Sequence, residues 1–163
     1  MWKETNKFGD SFEGSEKYYK ETKGLHFGQD FAFITENGNE SEGKEIPCFE
    51  SGKVVVVGNN PNSKTGRQVV IKTKSHYRSY QHLSETKVNL YQEIEKGDII
   101  GLCGSTGNVT GAHLHTDKYF RLYKPYRLKD YIHAIYKKVN KKGIQIITDV
   151  YYVDPEITLS DFT

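Results

Sequence analysis

The sequence predicts a mainly β protein built from antiparallel strands, and three observations lead there. Short runs rich in β-branched and aromatic residues recur along most of the chain, and turn signals rich in glycine and asparagine separate them. Aromatic side chains supply the bulk that a modest aliphatic content leaves missing. Hydrophobic residues make up 36% of the 163 positions, yet 12 Tyr, 8 Phe and one Trp bring large packing surfaces. That length suits one domain with a real core, and no repeat, low-complexity run or linker divides it, so residues 1–163 read as a single domain.

Taken in order, the first informative segment is GLHFGQDFA, residues 24–32. If it is extended, His26, Gly28 and Asp30 share one face and Phe27, Gln29 and Phe31 the other; Gly28 and the phenylalanines favour a strand or a tight bend over a helix. ENGN (36–39) marks a turn, KVVVVG (53–58) a strand, and GNNPNSKTG (58–66) a longer connection to the strand RQVVIKT (67–73). In YRSYQHLS (77–84), regular alternation places His82 on the face of Tyr80 and opposite Leu83. GDIIGLCG (97–104) is the next strand, and the glycine-rich GSTGNVTG (104–111) leads into HLHTDKYFRLY (113–123). There His113 and His115 project together, about 7 Å apart, while Leu114 points the other way.

One segment departs from the alternation. In RLKDYIHAIYKKVNKKG (127–143), Leu128, Tyr131, Ile132, Ile135, Tyr136 and Val139 fall at helical spacing and Asn140 to Gly143 supplies a stop, so an amphipathic helix is expected. A strand, IQIITDVYYV (144–153), follows, and DPEITL closes the chain.

Charge and composition narrow the function classes. Charged residues are 27% with a net charge of +2, too balanced for a chain whose partner is a nucleic-acid backbone. No stretch suits a membrane span, and MWKETNKFGDSFEG at the start lacks the apolar run of a signal peptide, so work outside a cell implies a removed leader or another carrier. Cys48 and Cys103 lie in apolar strand contexts and read as two buried thiols.

Two histidines one residue apart on a strand can share a metal, but such a pair is commonly just packed or exposed. His26 with Asp30 equally suits a hydrogen-bonded surface pair, His82 a strand histidine satisfied by a neighbour, His76 a residue near a turn, and His133 an exposed helix position. Together the segments say more. HFGQD, YQHLS and IIGLCGSTGNVTGAHLH, in that order, closely resemble the lysostaphin-like zinc metalloendopeptidases that cut bacterial peptidoglycan. The likeness runs from about Phe8 to Tyr119 and returns in VDPEITL.

That resemblance implies a lysostaphin-type antiparallel β-sheet or sandwich core, Zn2+ held by His26, Asp30 and His115, and catalytic roles for His82 and His113. Three protein ligands leave the metal an open position, as a catalytic site requires. No HExxH glutamate is present, so the arrangement is not thermolysin-like. The implied substrate is the peptide part of peptidoglycan, reached at the cell wall by secretion or on a virion, within a phage tail or other larger parent; inserted elements and no export signal suit the phage setting. A non-catalytic activator or wall-binding relative is the alternative. Two departures stand out: a helix and strand inserted at about 122–151, and HLHTD where relatives continue with an aromatic and a glutamate, which leaves the five site residues intact but puts one supporting contact in doubt.

Overall fold

Alternation of side chains along the sequence becomes, among the described residues, thirteen strands in which every pairing is antiparallel. The computed structural model describes residues 1–121 and 124–163. The strands are β1 (Trp2–Asn6), β2 (Gln29–Thr35), β3 (Gly38–Asn39), β4 (Glu45–Pro47), β5 (Gly52–Gly58), β6 (Arg67–Lys72), β7 (Tyr77–Leu83), β8 (Glu85–Thr86), β9 (Glu93–Ile94), β10 (Ile99–Leu102), β11 (Leu114–Arg121), β12 (Ile132–Val139) and β13 (Gln145–Val153). The large sheet runs β1-β2-β11-β7-β6-β5-β9, and a small sheet runs β4-β10-β8. Leu122 and Tyr123, expected at the end of the HLH strand, lie outside the described residues.

The core joins the two sheets. Ile46 of β4 and Ile100 of β10 share one buried cluster with Val69 and Ile71 of β6, Tyr80 and Leu83 of β7, and Leu114 of β11. Cys48 and Cys103 belong to the same cluster as free buried thiols. Tyr80, though fully buried, keeps its phenol satisfied: its oxygen accepts the Phe49 backbone N–H at 2.9 Å. Tyr80→Phe strands that N–H in an apolar setting, and should lower stability by about 1–3 kcal/mol, read as a lower urea midpoint at unchanged slope.

The closing segment is fixed to the strand that carries Asp30. Gln29 accepts the Ile157 backbone N–H on Oε1 at 2.9 Å and donates from Nε2 to the Ile157 carbonyl at 3.2 Å. Arg78 donates to the Pro155 carbonyl at 3.1 Å, and His76 bonds Glu50 at 2.8 Å. VDPEITL is therefore a seam across β2 and β7.

The expected helix over 127–143 is a strand instead. Ile132–Val139 forms β12 and pairs residue for residue with β13, from Ile132 opposite Tyr152 to Val139 opposite Gln145. Spacings of three and four did occur, but Ile132, Ala134 and Tyr136 also alternate, and only that period lets the segment complete β13 along eight cross-strand pairs. The Asn140–Gly143 stop is a hairpin turn, with Gly143 at φ 78°. His133, expected on a helix, is exposed on β12, bonded to Asp149 at 2.7 Å and stacked on Tyr151.

One edge of β11 is shared. Leu114 to Thr116 pair with β2, whereas Lys118 to Arg121 pair with β13, and β7 runs along the other edge. The first half of the strand meets Asp30; the second carries the hairpin.

Candidate metal centre and cleft

Because β2 and β11 are in register at this point, Asp30 stands directly opposite His115. Leu114 and Thr116 face the core, and His115, Asp117 and Tyr119 face a cleft on the other side of the sheet. His26 arrives from the bend before β2, which begins only at Gln29, so the extended reading of 24–28 gives way to the tight-bend alternative. Its backbone is pinned on both sides, N–H to the Asp10 carbonyl at 2.8 Å and C=O from the Gly9 N–H at 2.7 Å.

The two imidazoles turn different nitrogens inward. His26 Nδ1 donates to the Lys7 carbonyl at 2.9 Å, which leaves Nε2 turned inward as a lone pair. His115 Nε2 lies 3.2 Å from Asp117 Oδ2 and donates there, so Nδ1 is the atom that meets Asp30. His26 Nε2 and Asp30 Oδ1 are 3.1 Å apart, His115 Nδ1 and Asp30 Oδ1 2.9 Å, and the two nitrogens 3.2 Å. Zinc bonds of about 2.0–2.1 Å imply ligand atoms roughly 3.3 Å apart around a tetrahedron, so this buried trio fits a metal ion with little adjustment.

Gly28 makes the convergence sterically feasible. A Cβ there would lie 2.3 Å from the Thr116 carbonyl oxygen and 2.8 Å from His115 Cε1, and neither can retreat without shifting β11. Gly28→Ala should therefore empty the centre while leaving the sheet, measured as loss of bound metal at unchanged far-ultraviolet circular dichroism.

Charge inside the centre is strongly coupled. Burial alone would raise the Asp30 pKa, but the two imidazoles against it, His115 first and then His26, hold the carboxyl well below the usual range. Burial disfavours a charged His115, yet Asp117 and Asp30 on either side outweigh it and push its pKa up to about 9. Without metal, then, a proton sits between His115 and Asp30 at neutral pH. A cation would take its place.

His82 and His113 stand beside this trio with rings 4.9 Å apart. His113 donates from Nδ1 to the Gly111 carbonyl at 2.9 Å, and its Nε2 lies 3.8 Å from Asp30 Oδ1. His82 donates from Nδ1 to the Thr106 carbonyl at 2.9 Å, and burial, with the charges of His115 and His113, lowers its pKa to about 3. Neither ring's Nε2 makes a hydrogen bond among the described residues. His82 does not reach the cleft by regular alternation. Three steps on β7, from Tyr80 to Leu83, face two on β6, from Val69 to Arg67, and His82 takes up the extra residue at φ 65°. Tyr80 and Leu83 both enter the core, and His82 is turned away from them.

Three neighbours were not singled out from sequence. Asn6 donates to Asp30 Oδ2 at 3.4 Å, and Tyr19, its pKa pushed up to about 12 by burial and by Asp30, lines the cleft as a protonated phenol. Asp117 holds the outer nitrogen of His115 and also accepts from Gln81 at 3.1 Å, so the aspartate of HLHTD makes the contact that its departure had put in doubt. Its position two residues after His115 on one strand face was the available signal. Asn6 ends β1, paired opposite Asp30, and Tyr19 comes from the segment between β1 and β2, and no sequence spacing announces either. The cleft measures about 830 Å³ and is walled on one side by Tyr136 and Tyr152 of the hairpin.

The model of Peptidase family M23 matches residues 24–124. The chain belongs to this family. His26, Asp30, His82, His113 and His115 all fall within the M23 span, and β12 and β13 lie beyond it. The chain is 43% identical over 70 residues to the peptidoglycan DD-endopeptidase ShyA of Vibrio cholerae, covering 42% of this chain and 16% of the relative. It thus spans about a sixth of that M23 protein's length. The catalytic domain of lysostaphin from Staphylococcus simulans superposes with a TM-score of 0.59 at 29% identity, over 72% of this chain and 79% of that one. A zinc-containing peptidase from Vibrio cholerae superposes with a TM-score of 0.51 at 27% identity, over 71% of this chain and 32% of that one. The lysostaphin-like β fold expected from sequence is thereby shown.

Proposed function

We propose that this M23 domain is a zinc-dependent endopeptidase that hydrolyses peptide bonds in the stems or cross-bridges of bacterial peptidoglycan. The observation that carries the reading is the convergence of His26 Nε2, Asp30 Oδ1 and His115 Nδ1 in a buried trio at the edge of an open cleft. Relatives described as a peptidoglycan endopeptidase and a zinc-containing peptidase support the substrate and the metal.

Bound by these three residues, zinc would supply a Lewis acid that acidifies water and polarises a carbonyl. The protein's own part falls to the flanking histidines. His82 is neutral at working pH, and its free Nε2 can take a proton from the attacking water. His113, anchored through Nδ1, can hold charge on the carbonyl oxygen or pass a proton to the departing amine. A His82 kept neutral, with its one N–H given to Thr106, has no proton on Nε2 to donate, so the donor role falls to His113. Tyr19 adds a protonated phenol at the rim, and the aromatic hairpin wall limits access of water.

The proposal covers a domain carried to the wall by secretion or on a virion, including within a phage tail protein, since each brings the cleft to the same polymer. No helix among the described residues is long and apolar enough to cross a membrane. The test is digestion of purified sacculi from several peptidoglycan types, followed by mass spectrometry of the fragments. New amino termini at a defined bond support the reading and name the bond. Sacculi that bind the chain but yield no fragments point to the non-catalytic alternative.

A further inference from the structure

The distal half of the β12–β13 hairpin lies beyond the family-matched span, and its side chains are largely exposed. Past the Tyr136–Thr148 pair the side chains are open to solvent, with Val139 64%, Ile144 58% and Ile147 55% exposed. Lys137, Lys138, Lys141 and Lys142 surround them, and no acidic residue falls between 137 and 148. The chain's net charge is +2, so these four lysines leave the remainder net negative. Positive charge is concentrated where aliphatic side chains cluster in the open.

We propose that this tip docks on an anionic lipid surface. A soluble polyanion would account for the lysines and leave the isoleucines unexplained, whereas a lipid interface accommodates both. β-branched side chains enter the acyl boundary and lysines extend their stems to reach the phosphates. The tip is already shaped for this. Asn140 Oδ1 accepts the backbone N–H groups of Lys142 and Ile144, each at 2.9 Å, and Gly143 takes the left-handed turn position. Little ordering is left to be done on contact. At its base the hairpin packs Tyr152 on Phe27, at 4.7 Å between rings, and Phe27 lies 4.9 Å from the His115 ring. Docking by the tip therefore sets the cleft beside the lipid surface.

The experiment is co-sedimentation of the full chain with phosphatidylcholine vesicles and with vesicles of equal parts phosphatidylcholine and phosphatidylglycerol. Binding to the mixed vesicles alone is expected. Lys141→Gln with Lys142→Gln should weaken it by about thirtyfold, from roughly one kcal/mol per lysine near an anionic surface. Ile144→Ser with Ile147→Ser should weaken it further at unchanged charge, and a tryptophan substituted for Ile144 should shift its emission to the blue. Absence of binding, binding indifferent to the isoleucine pair, or equal competition by soluble polyglutamate would overturn the proposal. All four positions lie outside the cleft, and unchanged far-ultraviolet circular dichroism shows each variant folded. The readout requires no hydrolysis, so its failure is separate from that of the peptidase reading.

Discussion

Replacing His115 by alanine should abolish metal retention and hydrolysis together. His26 and Asp30 remain, but two ligands cannot close a catalytic zinc site, and the Asp30 carboxylate loses the partner 2.9 Å away that holds it ionised in a buried position. The loss of affinity should exceed the roughly 10–100-fold that follows from removing only the outer hydrogen-bond partner of a ligand. Asp117→Asn provides that comparison, because it keeps every ligand atom and weakens only the hold on His115 Nε2. Metal content after dialysis and zinc competition with a chelator give both values. A His115→Ala protein that keeps stoichiometric zinc would refute the assignment.

The same residue sets a pH dependence with a definite sign. In the metal-free protein the His115 pKa is pushed up to about 9 between Asp117 and Asp30, so at neutral pH the ring carries a proton that metal must displace. Zinc affinity should rise roughly tenfold per pH unit as pH climbs toward that value and level off above it. Calorimetry in buffers of different ionisation enthalpy should register the released proton. An affinity flat from pH 6 to pH 8 would contradict it.

His113→Ala should separate binding from chemistry. The ring is not among the three converging ligands, so zinc should be retained while kcat falls by roughly 10²–10⁴-fold, the range for a lost acid or base. His82→Asn is the companion variant, because asparagine tolerates the left-handed backbone at φ 65° that most residues resist. It should also keep zinc and lose turnover, with little change in KM. Steady-state kinetics on a soluble stem peptide together with metal analysis checks both. Turnover at the parental rate in either variant would remove that histidine from the mechanism.

Much of this centre was readable from the chain because its parts obey local periods. His113 and His115 share a strand face by simple alternation, and Gly28 marked the room that His115 later fills. Legibility fell where a residue's role depends on distant backbone. His82 is placed by a bulge in β7 that alternation cannot foresee. Asn6 reaches Asp30 only because β1 lies beside β2. The segment 127–143 satisfied two periods at once, and β13, which pairs with it over eight residues and is invisible to a local reading, decided between them.

The shared edge of β11 has a practical meaning. Residues 114–116 are tied to the strand of Asp30, and 118–121 to a hairpin that is separate from the three ligand atoms. The strand is a joint between a fixed chemistry and an exchangeable accessory. Grafting another hairpin in place of 132–153 would reshape what the cleft admits, provided Tyr152 is kept, because it packs on Phe27 against the His115 ring.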